Sequence, residues 1–203
     1  MKFSTYAAAA VALLTQSTEA RMGWGKCDEE PEYMDSVDAV RLAGQWHEQI
    51  RDRTNPMIGG ANCVTKEFAV NQDGDVDLYY RGKFPMRGYK GVDGTIYCED
   101  GSCDATMAEK EERYPFRIFA TDYDNYQIDY FCFTKMGVKM EYFATYTREV
   151  VNSEETDALI RAALEEKLPK FAETYDNRFH TYSTYQGENC DYEWMYDDDE
   201  HTY

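Results

Sequence analysis

The sequence has 203 residues, with 39 acidic and 21 basic side chains and a net charge of −18. This length suits one domain behind a leader. The charge argues against nucleic acid and anionic lipid surfaces as partners, because both are negatively charged, and it favours solubility and a cationic protein partner.

The first twenty residues have the pattern of a secretory leader. Lys2 precedes the apolar run 6–14, and Thr18 and Ala20 stand at the −3 and −1 positions of a cleavage site. Such a run is too short for a bilayer, which needs about 20 residues. We therefore expect a signal peptide at 1–20 and a secreted or lumenal protein, with an uncleaved membrane anchor as the alternative.

Residues 45–148 alternate short aromatic or β-branched runs with turn residues, which is typical of antiparallel strands. Asp73-Gly74, Asp93-Gly94 and Asp100-Gly101 are the predicted hairpin turns, because glycine accepts the positive φ that these turns need. The predicted strands are 45–51, 63–69, 75–81, 89–92, 95–98, 103–109, 115–121, 126–134 and 138–148.

Residues 152–168 predict a helix. Asn152 and Glu155 have capping-box spacing, and Pro169 follows where the helix should end. One apolar stripe is formed by Leu159, Ile160, Ala163, Leu164 and Leu168. We expect this stripe to lie against the strands, with a swapped or partner-binding helix as the alternative.

The predicted order is a leader at 1–20, a β domain at 21–190 and an acidic tail at 191–203, which we expect to be disordered. Residues 178–185 can add a last short strand. Eight strands closing on themselves leave room for side chains or one small ligand. We expect an all-β fold: an eight-stranded antiparallel up-and-down barrel with one C-terminal helix on its wall.

Six cysteines behind a leader predict three disulfides: Cys27, Cys63, Cys98, Cys103, Cys132 and Cys190. Their number allows fifteen pairings, and the spacing does not choose among them. The sequence has no CxxC motif, and its histidines are not spaced to join a cysteine pair in a zinc site. No metal, cofactor or catalytic motif is predicted.

Two acidic stretches have weak features of calcium sites. Asn71, Asp73, Asp75 and Asp77 alternate like the start of a calcium loop, but the glycine stands fourth rather than sixth, and Gly82 occupies the place of the last ligand. A hairpin turn explains this stretch. A solvated tail explains the aspartates at 197–199 better than calcium does.

Three separated motifs resemble the signatures of the lipocalin family: Gly44-x-Trp46, Thr121-Asp122-Tyr123, and Arg148 at the end of the last long strand. The resemblance covers residues 27–190, and the cysteine positions are most similar to apolipoprotein D-like lipocalins. It implies that Trp46 closes the barrel floor and that Arg148 lies over the indole, a contact worth about 0.5–2 kcal/mol.

The same resemblance implies two disulfides, Cys27–Cys132 and Cys63–Cys190. Cys98 and Cys103 are then left over, and the Asp-Gly turn between them brings them close enough for a hairpin disulfide. That third disulfide is outside the usual pattern of the subgroup.

A lipocalin resemblance implies that the barrel carries one small hydrophobic ligand, such as a lipid, sterol, retinoid or pigment. A chain with 18 Tyr and 10 Phe can line such a pocket and offer hydroxyls to the ligand. The expected ligand contacts are Tyr79, Phe84, Phe116, Ile118, Tyr130, Met140, Tyr142 and Ala144. Alternatively, these side chains fill the core.

Two other functions remain open. A lipocalin-like enzyme of the isomerase or de-epoxidase type that uses a thiol needs an unpaired, activated cysteine, and every cysteine here has a plausible partner. An acidic structural or storage protein would have a filled barrel. We expect a binding protein rather than an enzyme.

Overall fold

The computed structural model describes residues 22–27, 33–55, 59–100, 102–107 and 113–194. The predicted leader lies outside these residues. The described residues form one eleven-stranded sheet and two helices. The strands are β1 (Met22–Trp24), β2 (Gly44–Asp52), β3 (Asn62–Val70), β4 (Val76–Phe84), β5 (Gly88–Glu99), β6 (Ser102–Met107), β7 (Tyr114–Pro115), β8 (Ala120–Thr121), β9 (Tyr126–Lys135), β10 (Val138–Thr147) and β11 (Thr181–Ser183). The helices are α1 (Glu154–Lys167) and α2 (Pro169–Ala172).

The strands follow the order β7-β6-β5-β4-β3-β2-β10-β9-β8, with β1 added to β10 and β11 added to β2. The two edge strands belong to one chain segment, residues 114–121. Phe116 N donates to Cys103 O (2.8 Å) on β6, and Phe119 N donates to Ile128 O (3.1 Å) on β9. The segment therefore crosses from one edge of a barrel-like sheet to the other without a continuous ladder.

The prediction of a closed eight-stranded barrel is thus wrong in its closure and its strand count. The expected strand at 115–121 is divided into β7 and β8, two residues each. Pro115 has no N–H to donate to a ladder, which weakens pairing at this point. The antiparallel arrangement and the C-terminal helix agree with the prediction.

Strand β5 replaces the two strands expected at 89–92 and 95–98, so Asp93-Gly94 is not a turn. A Cβ on Gly91 would lie 1.7 Å from Tyr80 O, and one on Gly94 would lie 2.3 Å from Thr106 O. These glycines therefore permit close approach of the neighbouring strands rather than a positive φ. The turn lies instead before Gly88, where Met86 has φ 61°.

The C-terminal segment 181–186 fills a gap between β2 and β3. These strands pair only from Gly44↔Phe68 to His47↔Thr65. Beyond that point β11 pairs with β2, and Cys63 N donates to Tyr185 O (2.8 Å) on the other side. The Gln186 side chain donates to Glu48 O and Val64 O, both at 2.8 Å. The C-terminal segment is therefore part of the barrel wall.

Helix α1 covers the outer face of β9. Its N-cap is Ser153 rather than the predicted Asn152, because the Ser153 side chain accepts from Thr156 N (3.2 Å). Ile160, Leu164 and Leu168 are buried, whereas Leu159 is exposed and does not belong to the buried stripe. In the described ranges, no helix has the length and apolar character to cross a bilayer.

Two hydrophobic clusters hold the molecule together. The inner one fills the barrel around Trp46, Phe68 and Ile96. The outer one lies between α1, α2 and the outer face of β9 and β10, and it includes Phe143 and Phe171. The apolar face of β9 therefore serves the helix packing rather than the barrel interior.

The three disulfides pair all six cysteines. Cys27–Cys132 ties the N-terminal segment to β9, and Cys63–Cys190 ties the C-terminal segment to β3. Cys98–Cys103 bridges β5 and β6 across their turn. These are the pairs that the lipocalin resemblance and the hairpin argument gave.

Candidate functional site

A cavity of about 140 Å³ lies inside the sheet. Strands β3, β4, β6, β9 and β10 and the segment after β7 supply most of its lining, because alternate residues of a strand face the same side. The lining residues are Asn55, Lys66, Leu78, Tyr80, Ala105, Met107, Tyr114, Phe116, Arg117, Asp129, Phe131, Tyr142, Ala144 and Tyr146. The wall is mostly apolar, with charged and hydroxyl groups among the lining residues.

Trp46 fills one end of the barrel. We call this end the closed end. Trp46 is fully buried, and its Nε1 donates to Leu42 O (2.8 Å). The Arg148 guanidinium lies 3.8 Å from the centroid of the indole. Gly44 has φ +98°, and a Cβ there would lie 3.0 Å from Arg148 Nη1, so a side chain would crowd this contact.

The Arg148 fork also joins the chain segments that meet at the closed end. Its nitrogens donate to five backbone carbonyls at 2.9–3.4 Å: those of Arg41, Leu42, Ala43, Gln45 and Tyr123. A guanidinium can satisfy several acceptors in one plane, which lysine cannot. Arg148 therefore has a structural role, remote from the cavity.

The Thr121–Tyr123 motif forms the turn between β8 and β9. Thr121 Oγ1 donates to Tyr126 O (2.5 Å) and accepts from Tyr123 N (2.9 Å). Asp122 Oδ1 accepts from three backbone amides, those of Asp124, Asn125 and Tyr126. Burial opposes ionisation of Asp122, but hydrogen bonds from Asn125, Tyr126 and Asp124 hold its pKa below the usual value. These three motif residues organise the backbone and do not line the cavity.

A buried ion pair stands in the wall of the cavity. Lys66 on β3 pairs with Asp129 on β9, and both side chains are almost fully buried. The ammonium lies 4.0 Å from the centroid of the Tyr146 ring. Gln127 Nε2 donates to the other oxygen of Asp129 (2.7 Å). The pair is neutral as a unit, so it places polar atoms beside the cavity without net charge.

A second buried polar group lies next to it around Glu48. Tyr80 and Tyr146 direct their hydroxyls at Glu48 Oε2 (3.5 and 3.4 Å), while Thr184 donates to Oε1 (2.5 Å). Arg51 pairs with the same carboxylate. Burial, followed in Tyr80 by the Glu48 charge, raises the pKa of both tyrosines well above the usual value, so their hydroxyls remain protonated.

Three of the eight expected ligand residues line the cavity: Phe116, Tyr142 and Ala144. Tyr142 stacks on Phe131, with ring centroids 5.2 Å apart, and Phe131 is partly exposed. Burial, and then the Asp129 charge, raises the pKa of Tyr142 to about 12. The phenol of Tyr142 is therefore neutral over the physiological range.

The other five expected residues do not line the cavity. Tyr79 carries the Arg81 guanidinium 3.3 Å above its ring, beside an ion pair to exposed Asp93. Ile118 and Phe84 pack with the inner cluster. Met140 lies where β10 pairs with β1.

Tyr130 is the most informative of these differences. It belongs to the outer cluster beneath the helices, and its hydroxyl donates to Glu141 Oε1 (2.8 Å). Its neighbours Asp129 and Phe131 line the cavity instead. In a barrel strand whose outer face is in solvent, the apolar side chains point inward. In β9 the more apolar side chains point outward instead, because α1 covers the outer face of this strand.

The expected ligand contacts did not include the polar lining residues Lys66, Tyr80, Asp129 and Tyr146. Tyr146 has the parity of Tyr142 and Ala144 along β10, so alternation already indicates that it faces inward. One signal was available for Tyr80. Val76, Leu78 and Tyr80 alternate with polar residues along β4, which favours Tyr80 over Tyr79 as an inward residue. No comparable signal marks Lys66 and Asp129, because each gains its partner only when β3 and β9 face each other across the barrel.

The start of the predicted tail contacts the outer face of β2. The His47 ring lies 5.1 Å from Tyr192 and 5.6 Å from Trp194 by centroid distance. Tyr192 donates to the Gln186 side chain (2.8 Å), and Lys83 pairs with Asp191 (3.3 Å). Residues 195–203 lie outside the described residues.

Burial lowers the pKa of His47 to about 4 from its ordinary value of 6.5. The unfolded chain therefore binds a proton between pH 6.5 and 4 that the folded chain does not, and stability should fall as pH falls through this window. We expect the wild type to lose up to about 3 kcal/mol more than His47→Gln between pH 7 and pH 4. Urea denaturation of both proteins at the two pH values measures this, and equal losses would contradict it.

No group of three or more His, Cys, Asp or Glu residues that could hold a metal ion is present in the part of the chain that the structure describes. Residues 71–75 form the hairpin turn between β3 and β4, in which Asn71 Oδ1 accepts from the amides of Asp73 and Asp75, both at 3.1 Å. The Asp77 carboxylate, on β4, accepts from Asn71 Nδ2 (3.2 Å) and Thr95 Oγ1 (2.9 Å), so it also belongs to the hydrogen bonds of the hairpin.

Solved structures with a similar fold were found among lipocalins. Insecticyanin from the tobacco hornworm Manduca sexta has a TM-score of 0.62 and 17% identity, covering 82% of this chain and 89% of that one. Lobster apocrustacyanin A1 has a TM-score of 0.59 and 18% identity, covering 85% and 94%. The siderocalin Ex-FABP has a TM-score of 0.50 and 15% identity, covering 77% and 97%. At these identities the likeness concerns the fold.

No protein-family model matches the sequence, and no curated protein matches it.

Proposed function

We propose that this chain, which has the lipocalin fold, binds and carries one small, mostly hydrophobic molecule with a polar group. The observation that supports this most directly is the internal cavity, whose wall joins apolar side chains to the Lys66–Asp129 pair and the Tyr146 ring. Ligand sites of proteins commonly combine an apolar wall with a few placed polar groups. The neighbour Ex-FABP functions through dual ligand specificities.

The size of the cavity limits the part of the ligand that enters it. Its volume of about 140 Å³ is close to that of an engineered cavity that binds benzene, about 150 Å³. Drug-sized ligands need about 300–1,000 Å³. A lipid, sterol, retinoid or pigment would therefore insert only one ring or one chain end into the cavity. The rest of the ligand would displace the stacked rings of Phe131 and Tyr142.

We place the polar group of the ligand beside Lys66 and Asp129. These side chains are already paired with each other, so the site has no net charge to offset that of a ligand ion. Such an ion would lose its hydration without gaining a partner of opposite charge. A neutral hydroxyl, carbonyl or protonated acid loses less hydration on burial. The tyrosine hydroxyls nearby are also neutral, because burial raises the pKa of Tyr146 and of Tyr142.

Secretion and a close relation to apolipoprotein D are further parts of the proposal. Three disulfides support an oxidising compartment. Two of them, Cys27–Cys132 and Cys63–Cys190, have the positions that the resemblance implied, whereas Cys98–Cys103 does not belong to that pattern. An acidic surface also favours a cationic partner, as the net charge of −18 suggests.

Native mass spectrometry of protein purified from its source tests the carrier function. We expect one apolar adduct per chain, which organic extraction releases for identification. A protein without an adduct that also gains none from fatty acids, sterols, retinoids and carotenoids would favour an acidic structural protein with a filled barrel instead.

Substituting Ala144→Phe should fill the cavity. Ala144 is buried and lines the cavity, so a phenyl ring there occupies the space that the ligand needs. We expect ligand affinity to fall at least tenfold, which corresponds to about 1.4 kcal/mol. Ala162→Phe on the exposed face of α1 is the control and should leave affinity unchanged. Equal affinity of Ala144→Phe and wild type, measured by fluorescent-probe titration, would place the ligand elsewhere.

An enzymatic function of the thiol type has no support from the cysteines, since all six are in disulfides. Catalysis by Asp or Glu carboxylates is a separate proposal. Its test is whether the purified protein converts the extracted ligand to a product.

A further inference from the structure

The four most exposed large apolar side chains among the described residues are Trp24, Met86, Met136 and Phe179, each at least 86% exposed. Large apolar side chains that stand this far out of a protein surface gain free energy when a partner covers them. Their common position in the fold is therefore informative.

All four lie at the open end, which we define as the end of the barrel opposite Trp46. Met86 is in the β4–β5 turn and Met136 is in the β9–β10 turn. Trp24 packs against that second turn, because a Cβ on Gly137 would lie 3.6 Å from the indole. Phe179 precedes β11, whose first residue pairs with Asp52 at the end of β2.

The two methionines stand on opposite sides of the barrel mouth. In the strand order, β3 and β2 separate β4 from β10 on one side, and β6 with the segment 114–121 separates β5 from β9 on the other. Both methionines have positive φ, 61° and 53°, at the tips of their turns. The exposed side chains are therefore distributed around the open end rather than gathered on one side of it.

Basic residues accompany each of these side chains. Lys26, Arg87, Lys135 and Arg178 stand within two positions of Trp24, Met86, Met136 and Phe179 respectively. No acidic residue stands within two positions of any of the four, although 39 of the 203 residues are acidic. Residues 108–112, between β6 and β7, lie outside the described residues.

The closed end has the opposite character. Its turns expose the carboxylates of Asp73, Asp100, Asp124 and Glu149. These four carboxylates therefore lie away from the four apolar side chains and their basic neighbours. Near the open end, the exposed carboxylate of Asp191 is paired with Lys83. At physiological ionic strength charges are screened over about 8 Å, so the local charge of a contact surface matters more than the net charge.

We propose that the open end docks on a lipid bilayer that contains anionic lipids. Methionine, tryptophan and phenylalanine enter the interfacial region of the bilayer, while the side chains of Lys26, Arg87 and Arg178 reach the lipid phosphates and carboxylates. The barrel mouth then faces the bilayer. This docking does not depend on which molecule the barrel carries.

Co-sedimentation of the full protein with vesicles tests the proposal. We use phosphatidylcholine vesicles with and without 30% phosphatidylserine, about one lipid in three. Removing two inserting side chains in Met86→Ser/Met136→Ser should lower the partition coefficient for both vesicle types at least tenfold. Removing two cations in Arg87→Gln/Arg178→Gln should lower it about tenfold for the anionic vesicles only.

Val40→Ser/Val151→Ser is the matched control, because both valines are exposed but lie outside the open end. It should bind vesicles like the wild type, and so should Ala144→Phe, whether or not that variant loses its ligand. Quenching of tryptophan fluorescence by brominated lipid should occur in the wild type and be greatly reduced in Trp24→Phe.

The proposal is overturned if the wild type binds neither vesicle type, or if Met86→Ser/Met136→Ser binds as tightly as the wild type. Light scattering measures the oligomeric state and can give a second result that contradicts the proposal. A wild-type dimer that does not bind vesicles and becomes a monomer in Met86→Ser/Met136→Ser would show that the open end is an interface between two copies of this chain.

Discussion

Replacing Cys63 and Cys190 together by serine is expected to lower the free energy of unfolding by about 5 kcal/mol. The disulfide closes a loop of 127 residues, and the chain-entropy estimate rises with the logarithm of loop length. It also holds the C-terminal segment 181–186 between β2 and β3. Urea denaturation measures the loss of stability. Hydrogen exchange at the backbone amides of residue 63 and Thr184 reports whether the C-terminal segment leaves the barrel wall.

Cys98→Ser/Cys103→Ser is the control for this experiment. Its disulfide spans only five residues, so the same estimate gives about 2 kcal/mol. We expect normal exchange at Thr184 in this variant. Equal losses of stability in the two double variants would contradict the loop-length argument, and unchanged exchange at Thr184 in the first variant would show that hydrogen bonds alone hold the segment.

The second large effect is expected at the buried ion pair. Asp129→Leu leaves the Lys66 ammonium buried without its carboxylate, and removing one partner of such a pair typically costs about 3–5 kcal/mol. Replacing both in Lys66→Met/Asp129→Leu removes the charges together. We expect this double variant to be within about 1 kcal/mol of the wild type in urea denaturation, because an apolar pair avoids the desolvation of two ions.

An exposed ion pair provides the comparison. Arg161 and Asp176 are joined by two hydrogen bonds (2.6 and 2.7 Å), but both side chains are substantially exposed. We expect Asp176→Leu to cost about 1 kcal/mol or less. If Asp129→Leu is as mild as Asp176→Leu, water reaches Lys66, and the polar wall of the cavity is wetter than its burial indicates.

The same double variant separates a structural role of the pair from a role in ligand binding. If the polar group of the ligand lies beside Lys66 and Asp129, Lys66→Met/Asp129→Leu keeps its stability but binds ligands with a polar group more weakly. A purely apolar probe should bind this variant at least as well as the wild type, because the wall has become apolar.

Much of the fold could be predicted from local patterns. The run of β strands, the hairpin at Asp73-Gly74 and the C-terminal helix follow from alternation, glycine at turns, and apolar spacing with a following proline. Asp93-Gly94 shows the limit of such patterns. A glycine in a turn and a glycine at a close strand contact look the same in sequence, and only the neighbouring Tyr80 and Thr106 carbonyls distinguish them.

The candidate site was less predictable than the fold. Parity along β10 gave Tyr142 and Ala144, which line the cavity, because the inward face of this strand is also its more apolar one. The parity chosen for β9 gave Tyr130, although Asp129 and Phe131 face the cavity. Sequence alternation shows that a strand has two faces, but a helix on the outer surface can make the outer face the apolar one.

By itself, the sequence determined the cysteine content, the acidic charge, the strand-rich middle and the motif residues Gly44, Trp46, Thr121, Asp122 and Arg148, since each depends on residue type or short spacing. Only the tertiary structure decided the rest: the Lys66–Asp129 pair, the C-terminal segment in the wall, and the gathering of four exposed apolar side chains at one end. Each joins residues far apart in the chain, and which of them meet is set by strand order and by which face of each strand is covered.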